Sequence, residues 1–168
     1  MTTQENLEAA FAGESQANRR YLAFAQRADQ EGYTQIAKLY RAVAAAETVH
    51  ALTHFGIMRG VGNTSDNLKK SIAGEIEEFK VMYPKFIEQA KAEGASDAVI
   101  LTFDVANKVE KIHAGLFQRA LDNLGKNIGK NQVTDYYVCN ICGNTVEGSA
   151  PQKCPICHAP HEMFEKID

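Results

Sequence analysis

Two Glu-x-x-His motifs, Glu47–His50 and Glu110–His113, stand in the two halves of this 168-residue chain. Each motif lies within a run of apolar residues at helical spacing, and residues three apart share one face of a helix. An earlier glutamate precedes each motif in a similar run, Glu14 in the first half and Glu75 in the second. A carboxylate on a buried helix face is costly unless it is paired or binds a metal, so this pattern predicts metal binding.

The ligand set expected from these motifs is that of ferritin-like carboxylate bundles, in which two helices give one Glu each and two give Glu-x-x-His. Carboxylates combined with one imidazole per metal suit iron or manganese. Glu78 follows Glu75 by three residues and could add a fifth carboxylate on nearly the same face. One such motif alone is more often a solvated surface pair, but two matched motifs favour a two-metal site inside a four-helix bundle.

Four cysteines form two Cys-x-x-Cys pairs near the end of the chain: Cys139, Cys142, Cys154 and Cys157. Four thiolates at this spacing can hold one tetrahedral metal ion, either zinc or iron. Structural zinc is the commoner occupant, whereas iron could pass single electrons to a neighbouring redox site. The spacing alone leaves the metal open.

Apolar spacing predicts four helices, at about residues 3–31, 34–58, 65–93 and 96–124. Gly32 and Gly94 follow the first and third of them, as is typical of helix C-termini. The two halves also have similar spacing, because Glu14 precedes Gly32 by 18 residues and Glu75 precedes Gly94 by 19. A duplicated helical hairpin, with the metal pair on a pseudo-twofold axis, would explain this likeness.

The connections between these elements predict the domain organisation. Residues 60–64 are short for a crossover between the second and third helices, which leaves exchange of a helix pair between subunits open. A polar linker at 125–131 then separates a bundle domain at 1–134 from a small domain at 135–168. The small domain is too short to fold on an apolar core alone, so a metal must supply much of its stability.

Composition and charge exclude several classes of partner. The net charge is −3 with scattered basic residues, so no nucleic-acid footprint is expected. No apolar run approaches the roughly 18–20 residues that span a membrane. The first residues lack the pattern of a secretory signal, and we therefore expect a cytoplasmic protein without disulfides.

Taken together, these motifs resemble the rubrerythrin family over the whole chain. The segments that carry the resemblance are residues 11–17, 47–51, 74–78, 82–86, 110–113, 137–143, 154–157 and Phe164. The fold that the resemblance implies is mainly α, a ferritin-like four-helix bundle followed by a small rubredoxin-like metal-binding β domain.

The resemblance also implies a role for each bundle ligand. Glu14 and Glu75 would be terminal ligands of two irons, and Glu47 and Glu110 would bridge them. His113 would bind one iron permanently.

Other positions would adjust and feed the centre. Glu78 and His50 would alternate on the second iron as its oxidation state changes. Tyr21 and Tyr83 would hydrogen-bond to ligand carboxylates, and the four cysteines would hold a single iron, with zinc as a substitute. His158 departs from the rubredoxin pattern, which usually has Gly after the last cysteine, where the backbone conformation is unusual.

The activity implied by the resemblance is reduction of hydrogen peroxide to water, in protection against oxidative stress. Electrons would come through the rubredoxin-like iron from a donor protein, either a rubredoxin or an NAD(P)H-dependent reductase. A homodimer or larger homo-oligomer is expected, with electron transfer between subunits. The alternatives are a ferritin-like protein that oxidises or stores iron, a pure electron carrier, and a binding protein with a zinc ribbon.

Overall fold

The computed structural model describes residues 2–126 and 133–168, so residues 127–131 of the predicted linker lie outside the described residues. Within the described part of the chain, no helix combines the length and apolar character that a bilayer span requires. The chain divides into two compact units, residues 1–62 and residues 63–168. Each unit is described by itself.

The first unit is a helical hairpin of α1 (Thr3–Gln30) and α2 (Thr34–Ile57). Thr2 and Glu5 form a capping box at the start of α1, and Gly32 has a φ of 82° in the turn between the helices. The buried seam of the hairpin is made of alanines, which let the two helix backbones approach closely: Ala25, Ala28, Ala37, Ala44 and Ala51.

The hairpin leaves large apolar side chains on its outside. Leu39, Val49 and Leu52 are each more than 60% exposed, although they lie in the middle of α2. A helix pair has only one internal face, so a second layer is needed before such residues are buried.

The second unit begins with α3 (Thr64–Glu77), which passes through a π-helical turn (Glu78–Met82) into α4 (Tyr83–Ala92). The single helix predicted at 65–93 is therefore one continuous helical segment with a wide turn inside it. Pro84 follows this turn and has no N–H to donate, and the π turn accommodates a break in the regular hydrogen-bond pattern there. Gly94 has a φ of 67° and precedes α5 (Asp97–Gly125).

A three-stranded antiparallel sheet follows α5 in the second unit. Its strands are β1 (Tyr136–Cys139), β2 (Thr145–Glu147) and β3 (Phe164–Ile167), with β1 in the middle. The most buried side chains of this small domain are polar or sulfur-containing, Cys139, Cys154 and Asn144. A core of this composition fits a domain whose stability depends on a metal.

The predicted fold class, mainly α with a small C-terminal β domain, is confirmed. The four predicted helices end within one or two residues of the observed ones, because their apolar periodicity and their flanking glycines agree. The predicted boundary between residues 134 and 135 stays a prediction.

Candidate metal centres

The first unit brings Glu14 of α1 together with Glu47 and His50 of α2. One ligand atom from each lies within 4.8 Å of the others. His50 Nδ1 is 3.0 Å from Glu47 Oε2 and 4.0 Å from Glu14 Oε1. These two carboxylates and one imidazole are a suitable donor set for one side of a non-haem iron pair.

Asn18 fixes the position of α1 against α2 beside this triad. Its Nδ2 donates to the Ala44 carbonyl oxygen at 2.7 Å and to Thr48 Oγ1 at 2.9 Å. Asn18 lies one helical turn after Glu14, so the bond holds that carboxylate opposite the Glu-x-x-His motif of α2.

The second unit brings together Glu75 of α3 and Glu110 and His113 of α5, again with one ligand atom each within 4.8 Å. His113 Nδ1 is 2.7 Å from Glu110 Oε2 and 3.9 Å from Glu75 Oε2. The corresponding distances in the first triad differ by 0.3 Å and 0.1 Å. The two hairpins therefore present the same donor set in nearly the same geometry.

The second triad concentrates negative charge in a sheltered place. Burial first, and then the charges of Glu110 and Glu78, raise the pKa of Glu75 to about 7, while the charge of His113 opposes them. Glu78 lies in the π-helical turn outside the 4.8 Å group, and burial and then Glu110 raise its pKa. Carboxylates that repel one another in this way favour a cation, whose charge stabilises their ionised forms.

The two tyrosines predicted to contact ligand carboxylates have different surroundings, with Tyr21 in the first unit and Tyr83 in the second. Burial raises the pKa of Tyr83, followed by the charges of Glu110, Glu78 and Glu75, which places its hydroxyl near the second triad. Tyr21 packs against the ring of Tyr40, with 6.1 Å between centroids. Within residues 2–126 and 133–168 neither hydroxyl hydrogen-bonds to a ligand carboxylate, and that predicted contact stays a prediction.

His113 contacts the small β domain with its other ring nitrogen. Its Nε2 is 3.1 Å from Thr145 Oγ1 and 3.3 Å from the carbonyl oxygen of Gly143, the residue after Cys142. With a proton on Nε2, the ring donates to these oxygens and keeps the Nδ1 lone pair for a metal. The sequence gives no signal for this contact, because Thr145 is an ordinary strand residue 32 positions away.

A second contact in the same unit joins α5 to β2. Arg119 Nη2 and Nε donate to Glu147 Oε2 at 2.7 Å and 3.1 Å, and the Tyr136 hydroxyl donates to Glu147 Oε1 at 3.2 Å. Beside it, a cleft of about 510 Å³ reaches Glu75 and His113. Its other lining residues are mostly apolar: Leu68, Leu116, Phe117, Ala120, Tyr136 and Thr145.

The four cysteines form one cluster with the dimensions of a tetrathiolate site. Cys139 Sγ is 3.7 Å from Cys157 Sγ, and Cys142 Sγ is 3.6 Å from Cys154 Sγ. Thiolates about 2.3 Å from a tetrahedral metal stand about 3.8 Å apart, whereas disulfide sulfurs stand about 2 Å apart. The cluster therefore fits a metal, as predicted, and its sulfur–sulfur distances are those of a tetrathiolate site.

Backbone N–H groups also stabilise the thiolates. Burial opposes ionisation of Cys154, but the N–H groups of Cys157 and Ile156 lower the pKa of this thiol to about 7. Burial raises the pKa of Cys142, against a donated bond from the Asn144 N–H. His158, after the last cysteine, has a φ of 63°, the left-handed conformation that Gly accepts most easily.

Comparisons with known proteins cover both parts of the chain. Residues 5–121 match the family model described as rubrerythrin, and residues 137–165 match the model described as the rubrerythrin rubredoxin-like domain. Rubrerythrin-2 of Clostridium acetobutylicum is 35% identical, with 97% of this chain and 95% of that protein covered. Nigerythrin of Nitratidesulfovibrio vulgaris is 36% identical, with 97% of this chain and 85% of that protein covered.

Solved structures of nigerythrin are also similar to this chain. A structure of nigerythrin in its fully reduced, all-ferrous state is similar with a TM-score of 0.59 and 32% identity, and the match covers 99% of this chain and 87% of that one. A mixed-valence nigerythrin structure matches with a TM-score of 0.57 and 33% identity, over the same shares of both chains.

Proposed function

The chain belongs to the rubrerythrin family, as its resemblance predicted, and we propose that it reduces hydrogen peroxide to water. Membership makes it an oxidoreductase with a diiron site and a rubredoxin-like tetrathiolate site. The observation that supports peroxide reduction is the contact of His113 with both the second triad and the Gly143 carbonyl beside the tetrathiolate. A ligand that also contacts the neighbouring metal site is well placed to pass electrons.

The bundle irons would be held by seven side chains that the two units provide. The triads contribute six of them, and Glu78 contributes the seventh: Glu14, Glu47, His50, Glu75, Glu78, Glu110 and His113. Within this set Glu47 and Glu110 would be shared by both irons, Glu14 and Glu75 would each bind one, and His50 would alternate with Glu78. Two irons held in this way supply the two electrons that reduction of one peroxide molecule consumes.

Tyr83 beside the second triad supplies a proton, and apolar residues line the neighbouring cleft. Reduction of hydrogen peroxide to two water molecules consumes two protons. Tyr83 lies beside the triad, and burial followed by the neighbouring carboxylate charges raises its pKa, so its hydroxyl keeps a proton to donate. Apolar side chains such as Leu116 and Phe117 line the neighbouring cleft, which reaches Glu75 and His113.

The tetrathiolate domain supplies electrons to the bundle through α5. Cys142, Gly143 and His113 form a short path, and the Arg119–Glu147 ion pair holds β2 near the same helix. An external donor protein, a rubredoxin or an NAD(P)H-dependent reductase in the cytoplasm, replaces these electrons. The path lies inside one chain, in contrast to the transfer between subunits that the resemblance implies.

We further propose that the active form is a homodimer in which two copies exchange their first hairpins. Ferritin-like folds join their two hairpins by a long crossover. In α2 ten residues follow Glu47, and in α3 eleven residues precede Glu75. If the two glutamates lie at the same height along the bundle axis, the crossover must span the length of both helix segments, about 31 Å. The seven peptide steps from Ile57 to Thr64 reach about 25 Å at most.

The end of α2 shortens this reach further. The Gly60 N–H donates to the Phe55 carbonyl at 2.9 Å, so residues 58–60 continue a compact turn. The second hairpin of another copy can pack on the first hairpin without such a crossover. It would then cover the exposed apolar residues of α2.

Complementation between two variants tests the exchange. Glu47→Gln and Glu110→Gln chains with different tags are co-expressed, and the mixed dimer is purified through both tags. In an exchanged dimer one bundle contains both substitutions and the other contains neither, so the mixed dimer regains one intact diiron site. Without exchange every bundle is defective, and bundle iron stays as low as in either parent, which would refute the exchange.

The peroxidase proposal has its own test. The protein is purified without chelators, reduced, and mixed with hydrogen peroxide while its visible spectrum is followed. About three irons per chain and rapid peroxide-driven return of the ferric tetrathiolate band are expected. Zinc in the tetrathiolate site with no spectral change would favour the zinc-ribbon alternative, and oxidation by oxygen faster than by peroxide would favour iron handling.

A further inference from the structure

Asn144 is the most buried large polar side chain of the small β domain, at 1% exposure. Burying an amide costs free energy unless both its donor and acceptor groups are bonded. Within the described residues the Asn144 side-chain oxygen has no hydrogen-bond partner. A leucine of similar size would avoid this cost, so the amide nitrogen is the part of the side chain that needs an explanation.

The amide nitrogen of Asn144 points to a thiolate of the tetrathiolate cluster. Nδ2 donates to Cys154 Sγ over 3.7 Å, an ordinary length for a bond to sulfur. The backbone N–H of the same residue donates to the Cys142 thiolate, and its carbonyl oxygen accepts from the Cys139 N–H at 3.0 Å. Asn144 therefore contacts three of the four cysteines, each through a different group.

The charge on the sulfurs changes with the oxidation state of the iron. A ferric ion with four thiolates has a net charge of minus one, and the ferrous form has a net charge of minus two. A donor beside a sulfur stabilises the more negative form more strongly, because the interaction grows with the charge on the acceptor. Hydrogen bonds to cluster sulfurs are among the factors that set reduction potentials.

We infer that the Asn144 side chain raises the reduction potential of the tetrathiolate iron through its bond to Cys154. The effect makes the small domain a better acceptor of electrons from the donor protein and a weaker donor to the bundle. It depends on iron in the tetrathiolate site and is independent of whether the bundle reduces peroxide.

The midpoint potential of the full-length protein tests this inference. It is measured from the ferric tetrathiolate band during a reductive titration of the wild type, Asn144→Leu and Asn140→Leu. Asn140 belongs to the same cysteine loop but has an exposed side chain, so its replacement is the matched control. We expect Asn144→Leu to lower the equilibrium constant for reduction about tenfold, which is about 59 mV for a one-electron couple, and Asn140→Leu to leave it unchanged.

A variant that loses its iron would leave no potential to measure, so a second measurement uses the wild-type chain. An NMR-active cadmium isotope replaces the iron, and scalar coupling across N–H···S bonds is measured for Asn144. Coupling from the side-chain amide protons to cadmium is expected beside the coupling from the backbone N–H. Absence of the side-chain coupling, or equal potentials for wild type and an iron-loaded Asn144→Leu variant, would overturn the inference.

Discussion

The two triads have the same ligands and nearly the same distances, but their histidines differ in freedom. The His50 side chain is 57% exposed in its unit, and its polar partners among the described residues are the carboxylates of its own triad. The His113 side chain is 25% exposed, and its second nitrogen is bonded to Thr145 and Gly143. A ring held on both sides stays in place, whereas a ring held on one side can leave. Unequal surroundings thus allow a symmetric ligand set to support one fixed and one adjustable ligand.

Replacing either proposed bridging carboxylate, Glu47 or Glu110, should have the largest effect on bundle iron content. The effect should be the same in the two halves of the chain. We expect Glu47→Gln and Glu110→Gln each to lower iron from about three per chain to about one, because in the proposed site each of these carboxylates is shared by both irons. Iron per chain is measured with the tetrathiolate band as an internal reference. Glu77→Gln, an exposed neighbour of the ligands, is the control. Full loss with one variant and none with the other would contradict a shared site.

Replacing the histidines should have different effects in the two halves of the chain. We expect His113→Ala to weaken bundle iron binding by about 10–100-fold, since the residue is both a proposed ligand and a contact of the β domain. His50→Ala should keep both irons and slow peroxide turnover severalfold. Equilibrium dialysis and stopped-flow kinetics measure the two effects, with His54→Ala as a control one turn further along α2. A His50→Ala variant with the full rate would refute its alternating role.

The pH dependence of metal binding should distinguish Glu75 from Glu14. Because the folded pKa of Glu75 is about 7, above its usual 4.5, the metal-free folded protein keeps this proton to a higher pH than the unfolded chain does. The contribution of that proton to stability is therefore complete below about pH 4.5 and is lost as the pH rises to about 7. Metal binding releases the proton, so bundle affinity should rise up to about tenfold per pH unit in that range.

Calorimetry in buffers of different ionisation enthalpy measures this proton release. Glu75→Gln should lower the number of protons released on metal binding by about one, along with the loss of one ligand. Glu14→Gln should weaken binding yet keep the pH dependence. Equal pH profiles for the two variants would show that the second triad has no special protonation.

The smallest effect is expected at Asn18, which has no counterpart in the second half, where Phe79 stands four residues after Glu75. Asn18→Ala removes two bonds between α1 and α2 and should lower stability by about 1 kcal/mol. Thermal unfolding of the metal-free protein measures the change. Gln16→Ala, at an exposed position of α1, should have no effect.

Much of the fold and the candidate ligand set could be predicted because one periodic pattern contains both. Glu47 and Glu110 replace apolar residues at core positions, so a search for helices also finds the candidate ligands. The cysteine pairs are similarly visible, because their spacing is local. Two features could not be predicted, the bond from His113 to Thr145 and the burial of Asn144. Both depend on how distant segments fold together, and Asn144 has the appearance of an ordinary turn residue.

The π-helical turn has a consequence for the ancestry of the chain. Glu75 precedes Gly94 by one residue more than Glu14 precedes Gly32, and a π turn accommodates one extra residue without ending the helix. One codon inserted into one copy of a duplicated gene would account for the difference. The insertion lies within the turn that Glu78 begins. Glu78 stands three residues after Glu75, whereas Ala17 stands three residues after Glu14. A single mutational event of this kind is enough to start two identical hairpins on separate evolutionary paths.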